Sequence, residues 1–282
     1  MKRSSKHGYS DGHSVELLRS GEQFFKANIE AIDSARNYIH FQTYIVDEDE
    51  TGTKIFDALV RAAERGVRTY LLLDAFGTKY LSGELVNKIE NSGILFRFFS
   101  PVFITKGFQL SLRLHHKVLL VDGELAIIGG LNFANRYHGK PGKKEWLDFA
   151  VSVRGPECIH INTILKRTWN KTFLSKAERS NETVPVVKRY DDNITLRVTE
   201  NNWYRNRIEI LRSYRSAFKH SHHHMIIFAS YFLPGRLERK LLRLASARGV
   251  DIKIVLAAES DAPIFKRATS FLYEYILRNN IR

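Results

Sequence analysis

The sequence predicts an α/β fold of two similar lobes, each a mixed sheet flanked by helices, with the second lobe incomplete. Three observations carry that prediction. Helical and strand periodicities alternate along the chain. A stretch of the first half recurs in the second, "AAERGVRTYLLLDA" from Ala62 matching "ASARGVDIKIVLAA" from Ala245, an offset of 183 residues. The segment "LHHKVLLVDGELAIIGGLN", Leu114 to Asn132, has no such counterpart, because the offset carries His115 to position 298, past Arg282.

Each element follows from its pattern. In "GEQFFKANIEAIDSAR" the residues Phe24, Phe25, Ile29 and Ile32 share one helical face, and the apolar strand "YIHFQTYIV" follows. Thr51 or Thr53 is placed to cap a second helix, with Ile55, Leu59 and Ala62 or Ala63 inward and a stop at Gly66. "VRTYLLLDAFG" reads as a strand buried on both faces, "LSGELVNKIENSG" as a helix and "ILFRFF" as the next strand. The second half repeats the order with a helix "RNRIEILRSYRSAF", a strand "MIIFASYFL", a helix "RLERKLLRLASARG", a strand "VDIKIVLAA" and a helix "FKRATSFLYEYILRNN". The predicted division is a first lobe over 1–178 and a partial second lobe over 179–282.

The 282 residues are 44% hydrophobic, enough for a full core. A formal net charge of +14, dispersed along the chain, favours polyanions, either nucleic acid or the anionic face of a membrane. With Cys158 the only cysteine, no internal disulfide forms, and the residue reads as a small core side chain. The basic N-terminus has no apolar run behind it, so a signal peptide is not expected, and no apolar segment is long enough to span a bilayer. The run containing His220 and His222 to His224 offers no spaced partner set for a metal, since successive strand residues alternate faces. The loop "SPVFITKGFQLSLR" interleaves apolar and basic residues, which suits either packing on the first lobe or dipping into an anionic lipid surface.

The polar chemistry concentrates in the segment from Leu114. Two-residue alternation points His115 and Lys117 to one face and His116, Val118 and Leu120 to the other. Asp122-Gly123 is a two-residue hairpin signal, with "ELAIIGG" as the returning strand. Gly129 and Gly130 remove bulk where a ligand would approach, and Asn132 supplies an amide donor. His115, Lys117 and Asn132 converging beside two glycines would suit one phosphate group.

The pattern His115, Lys117, Asp122, Gly129, Gly130, Asn132 resembles the HKD signature of the phospholipase D superfamily. The stretches "GEQFFKANIEAIDSA", "DEDETGTKIFDALVRAAERGV", "LLLDAFGT", "IIGGLNFANRY", "YFLPGRLERKLLRLASARGVDIKIVL" and "ESDAPIFKRATSFLYEYIL" extend the resemblance, specifically to bacterial cardiolipin synthases, over nearly the whole chain. It implies two phospholipase D-like lobes, each giving one motif to a shared site. It further implies attack by one His to form a phosphohistidine, with the other lobe's His as acid and then base, and no metal or cofactor. By the same resemblance His115 and Lys117 are catalytic, and Asp122 belongs to the catalytic motif as a structural support. Lys117, Gly129, Gly130 and Asn132 hold phosphate, and Asp148 in "EWLDFAVSVRGP" orients His115.

The implied partners are an anionic phospholipid of the phosphatidylglycerol type and the membrane surface, with the chain peripheral on the inner, cytoplasmic face. Matches outside the motif weigh against nucleic acid as substrate. The single motif leaves three readings: a synthase whose isolated chain is inactive, a phosphodiesterase or nuclease active as a homodimer, or a catalytically dead remnant that binds anionic lipid.

Overall fold

The run "YIHFQT" forms a strand buried at all six positions, and the first part of the molecule is assembled around it. In a computed structural model of the chain, residues 8–100, 113–138, 146–171, 179–184, 188–202, 207–258 and 263–282 are described. They belong to two units, Met1–Val198 and Thr199–Arg282.

The first unit runs β1 (Ser10–Arg19), α1 (Ser20–Ser34), β2 (Tyr38–Thr43), α2 (Glu50–Glu64), β3 (Arg68–Asp74), α3 (Gly83–Asn91), β4 (Leu95–Phe99), β5 (Lys117–Val121), β6 (Leu125–Gly129), α4 (Asn135–His138), β7 (Phe149–Arg154), α5 (Glu157–Lys171) and β8 (Ile194–Leu196). Its eight strands form one mixed sheet in the order β4-β3-β2-β5-β6-β7-β1-β8. β2, β3 and β4 are parallel, whereas β5 pairs antiparallel with β2 and every strand beyond it is antiparallel.

Alternation sends Ile39, Phe41, Leu71 and Leu73 to one face, where Phe24, Phe25 and Ile32 of α1, Ile55 and Leu59 of α2 and Ile89 of α3 bury against them. Tyr38, Tyr70, Leu72 and Leu120 face the other way, onto Cys158, Ile161, Leu165 and Trp169 of α5. Each fully buried large side chain of these layers contributes roughly 1.5–3 kcal/mol of transfer free energy.

Several local expectations are corrected. The cap of α2 is Asp49, whose carboxylate accepts from the Gly52 N–H at 3.1 Å, while Thr51 and Thr53 lie inside the helix. An extended Asp49 three residues before that N–H matches capping geometry better than either threonine. The strand "YIHFQTYIV" ends at Thr43, with Val46 making only an isolated bridge to Phe133. The β5–β6 turn has three residues, because Val121 pairs with Leu125, and both Asp122 (φ 52) and Gly123 (φ 70) adopt left-handed conformations. β1 and α5 were not anticipated.

The second unit contains β9 (Asn201–Asn202), β10 (Arg207–Ile208), α6 (Glu209–His220), β11 (His224–Ala229), α7 (Arg236–Ala247), β12 (Asp251–Leu256), α8 (Pro263–Ser270) and α9 (Tyr273–Arg278). β11 and β12 are parallel, His224 opposite Asp251, as β2 and β3 are, Tyr38 opposite Arg68. Arg68 and Asp251 keep the 183-residue offset of the repeat. The last predicted helix is two: the chain turns at Leu272, whose N–H bonds to Thr269 O at 2.9 Å, and this lets both Leu272 and Ile276 reach the core.

Candidate active site

Parallel strands β2 and β3 deliver their carboxyl ends, Thr43 and Asp74, to one margin of the sheet. At that margin β5 begins with Lys117 opposite Thr43, and β6 ends with Gly129 opposite Ala150 of β7. The direction of the sheet changes between β3-β2 and β2-β5, so this margin is a topological switch point, the usual place for a ligand in such sheets.

His115 and Lys117 do share a face. The His115 ring lies 5.2 Å from the ring of Tyr44, the residue that follows β2, and the Lys117 ammonium lies 5.3 Å from the same ring. His116 points away and pairs through Nδ1 with Gln42 Oε1 at 3.0 Å. Lys117 is only 5% exposed, and burial pulls its pKa down to about 8, the Asp148 carboxylate opposing the shift. Burial likewise lowers the His115 pKa below the ordinary imidazole value, with help from Lys117 and against the charge of Asp74. At neutral pH the site therefore holds a neutral imidazole beside an ammonium.

Asp148 faces Lys117. Its carboxylate takes the space above Gly130, where a Cβ would come within 2.6 Å of Oδ2 and 2.7 Å of Oδ1. Oδ1 also accepts from the Phe149 N–H at 2.7 Å, and burial raises the Asp148 pKa. Among the described residues no hydrogen bond joins Asp148 to His115. At Gly129 the missing side chain admits the Ala150 Cβ, which an added Cβ would meet at 2.6 Å. Asn132 is 8% exposed; its amide donates to the Tyr137 hydroxyl at 3.1 Å, and its Oδ1 is buried without a partner among the described residues.

Asp122 lies at the other end of β5, roughly 17 Å along the strand from Lys117. Its carboxylate accepts from the N–H groups of Arg36, Asn37 and Tyr38 at 2.9, 2.7 and 2.9 Å, tying the hairpin turn to the start of β2. A cavity of about 550 Å³, lined in part by Asp122, Tyr38, Arg68 and Glu182, opens at this far end and includes neither His115 nor Lys117.

One carboxylate whose charge opposes the lowering of the His115 pKa, Asp74, was not singled out from the sequence. Asp74 is fully buried, accepts from the Leu114 N–H through Oδ2 at 2.8 Å and from the Phe76 and Gly77 N–H groups through Oδ1 at 2.9 and 3.1 Å, and has Arg113 at 3.7 Å. It fixes the backbone one residue before His115. The available signal was an Asp ending a run of buried strand residues, "LLLD", at the carboxyl end of a parallel strand. Tyr44 and Tyr137 carried no comparable signal, because only strand pairing and the turn after Asn132 bring them to the site. The loop 100–113 lies almost wholly outside the described residues.

Residues 28–169 match the family model described as cardiolipin synthase, PLD-like domain. Cardiolipin synthase B of Salmonella typhimurium is 29% identical over 98% of this chain and 68% of its own length, and that of Escherichia coli (strain K12) is 30% identical over the same shares. Among solved structures, phosphatidylserine synthase of Haemophilus influenzae superposes with a TM-score of 0.59 at 17% identity, covering 94% of this chain and 68% of the other. The chain belongs to the cardiolipin synthase family of phospholipase D-like proteins.

Proposed function

We propose that this chain carries the nucleophilic half of a cardiolipin synthase-like phosphatidyltransferase. The observation that carries the reading is the neutral imidazole of His115 and the buried ammonium of Lys117 meeting on one Tyr44 ring. A His115 ring nitrogen attacks the phosphorus of a phosphatidylglycerol-type phospholipid, forming an N–P bond as the P–O bond to the leaving alcohol breaks. Lys117 offsets the charge that develops on the phosphoryl oxygens, and Asp148 holds Lys117 in its protonated form. The Tyr137 hydroxyl both donates and accepts, so either end of the Asn132 amide satisfies it, which frees the amide N–H group for a phosphoryl oxygen. Gly130 serves the phosphate site indirectly, by admitting Asp148, and Asp122 supports the hairpin that bears His115 and Lys117.

The leaving oxygen needs a proton, and the incoming lipid alcohol must lose one before its oxygen displaces the histidine. The full motif occurs once in the 282 residues, in the first unit, and the second unit, Thr199–Arg282, lacks it. On this reading the 282 residues alone do not turn over as a synthase, and the acid–base histidine comes from a second motif that they do not contain or from a second copy. The reading sets the protein peripherally on the inner face of the membrane, where anionic phospholipid is both substrate and surface. Among the described residues no helix is long and apolar enough to cross a bilayer.

The test uses a p-nitrophenyl phosphodiester, whose nitrophenolate leaves without being protonated. The purified chain should release about one equivalent in a burst, with the phosphoryl group recovered on His115 by mass spectrometry. It should make no cardiolipin from phosphatidylglycerol liposomes. No burst, or a burst that survives His115→Ala, would sink the nucleophile assignment; liposome turnover abolished by His115→Ala would sink the inactivity. The net charge of +14 also suits a phosphodiesterase acting on nucleic acid, which hydrolysis of DNA by the chain would favour.

A further inference from the structure

Next to the site, two aromatic side chains stand in solvent: Phe76 is 48% exposed and Tyr80 is 81% exposed. Both belong to the turn between β3 and α3, and that turn is held rigidly. Asp74 accepts from the N–H groups of Phe76 and Gly77, and the Thr78 hydroxyl donates to Asp74 O at 2.6 Å. Gly77 approaches Tyr44 so closely that an added Cβ would lie 2.0 Å from the Tyr44 carbonyl oxygen. Tyr44 is the residue whose ring touches His115 and Lys117. The exposed aromatics are thus displayed at a fixed place beside the reacting groups, which ordinary surface chance does not require.

Their surroundings are cationic. The Lys79 ammonium lies 5.1 Å from the Phe76 ring and 4.7 Å from the Tyr80 ring, and the Arg113 guanidinium lies 5.0 Å from Phe76. The nearby acid Glu48 is occupied by the N–H and hydroxyl of Ser82. Rings with an apolar body, topped by cations, fit the boundary between acyl chains and anionic headgroups.

We propose that the β3–α3 turn is the seat of this protein on an anionic phospholipid bilayer: Phe76 and Tyr80 enter the headgroup layer while Lys79 holds a lipid phosphate, bringing a phosphodiester toward His115. The proposal rests on the lipid reading of the site and adds where the surface is met. A cysteine at position 80 can be labelled selectively, because Cys158 is buried and its thiol pKa is pushed up to about 12.

The experiment attaches an environment-sensitive fluorophore to Tyr80→Cys in the full chain. The control is the same label on Ile159→Cys, which is 46% exposed on α5 next to the helix residue that bonds the far-end β5–β6 turn. Phosphatidylglycerol vesicles should shift the position-80 emission to the blue, and brominated acyl chains should quench it; the label at 159 should not respond, and phosphatidylcholine vesicles should have no effect. The triple variant Phe76→Ser, Lys79→Glu, Tyr80→Ser should weaken partition onto phosphatidylglycerol on the order of ten-fold or more, with an unchanged melting temperature. Vesicle binding with position 80 still in water would overturn the turn as the seat while leaving the lipid reading intact. No binding to any vesicle would overturn both, and an equal blue shift with duplex DNA would show a general polyanion site instead.

Discussion

Asp74 illustrates how much a single buried carboxylate can organise. It has no solvent exposure, and it bonds three backbone N–H groups, so removing it leaves three donors unpaired, that of Leu114 in a buried position. A donor left unpaired in a buried position costs about 1–3 kcal/mol. Its negative charge also works against the burial and the Lys117 charge that lower the His115 pKa. Asp74→Asn should therefore push the His115 pKa lower still, measured by NMR titration of labelled imidazole, and should slow the nitrophenyl burst; an unchanged titration would show that Asp74 is only structural. The burst should also be bell-shaped in pH. It rises as His115 loses its proton below the ordinary imidazole pKa, and falls as Lys117 loses its own through about 8. Lys117→Arg keeps its charge at all these pH values, so the alkaline fall should vanish even if the rate is lower. His115 and Lys117 were legible in the sequence because two-residue alternation decides their face, and Asn132 because it follows the paired glycines. Asp74 and Tyr44 were not, since their roles arise only when β5 enters beside β2, itself paired with β3.

Among the elements, α5 shows a signal that was present and passed over. Cys158, Ile161, Leu165 and Trp169 recur at spacings of three and four, but Ile159 and Ile164 lie off that line and blur the stripe. That stripe covers Tyr38, Leu120 and Ala126, with Trp169 over Tyr70 and Leu72. Trp169 is fully buried, 5.1 Å edge-on from Tyr70 and beneath the Arg97 guanidinium at 4.3 Å, in one cluster with Leu114. The residue before His115 is thus held by its N–H to Asp74 and by its side chain near Trp169. Trp169→Ala should cost roughly 3–5 kcal/mol in urea denaturation, whereas Trp169→Phe, which keeps most of the packing, should cost much less. Equal losses for the two would mean that ring volume is not what the site needs. The hairpin turn shows the complementary case: Asp-Gly predicted the reversal correctly, and the third residue, Glu124, emerges only from the register of Val121 with Leu125.

The repeat was the most legible feature of the whole molecule, and it also shows what each unit lacks or owns. In the first unit Gly93 (φ 84) turns the chain into buried Ile94 and β4; in the second Asn280 (φ 53) turns it into buried Ile281, and Arg282 bonds along β12 to Ile252 and Ile254. Ile226, Phe228 and Val255 are exposed on the β11–β12 sheet, whereas the matching face of β2–β3 lies under α5. With eight buried hydrophobic residues in its core cluster, the second unit should unfold in urea before the first, as a separate transition. The later transition should have its own acid sensitivity. His40 is fully buried, stacked 4.5 Å from Tyr70 and bonded to Ser180, and burial lowers its pKa to about 3 from an ordinary 6.5. Below 6.5 the unfolded chain takes a proton that the folded ring refuses, so stability is complete above that pH and falls as pH drops toward 3. At pH 4.5 the loss from this one residue is roughly 2–3 kcal/mol. Replacing it with a side chain that cannot titrate, His40→Gln, should lower stability at pH 7 yet flatten the decline between pH 6.5 and 4.5 in the later transition alone. If the earlier transition flattens instead, or neither does, His40 is not the group that makes the first unit acid-sensitive.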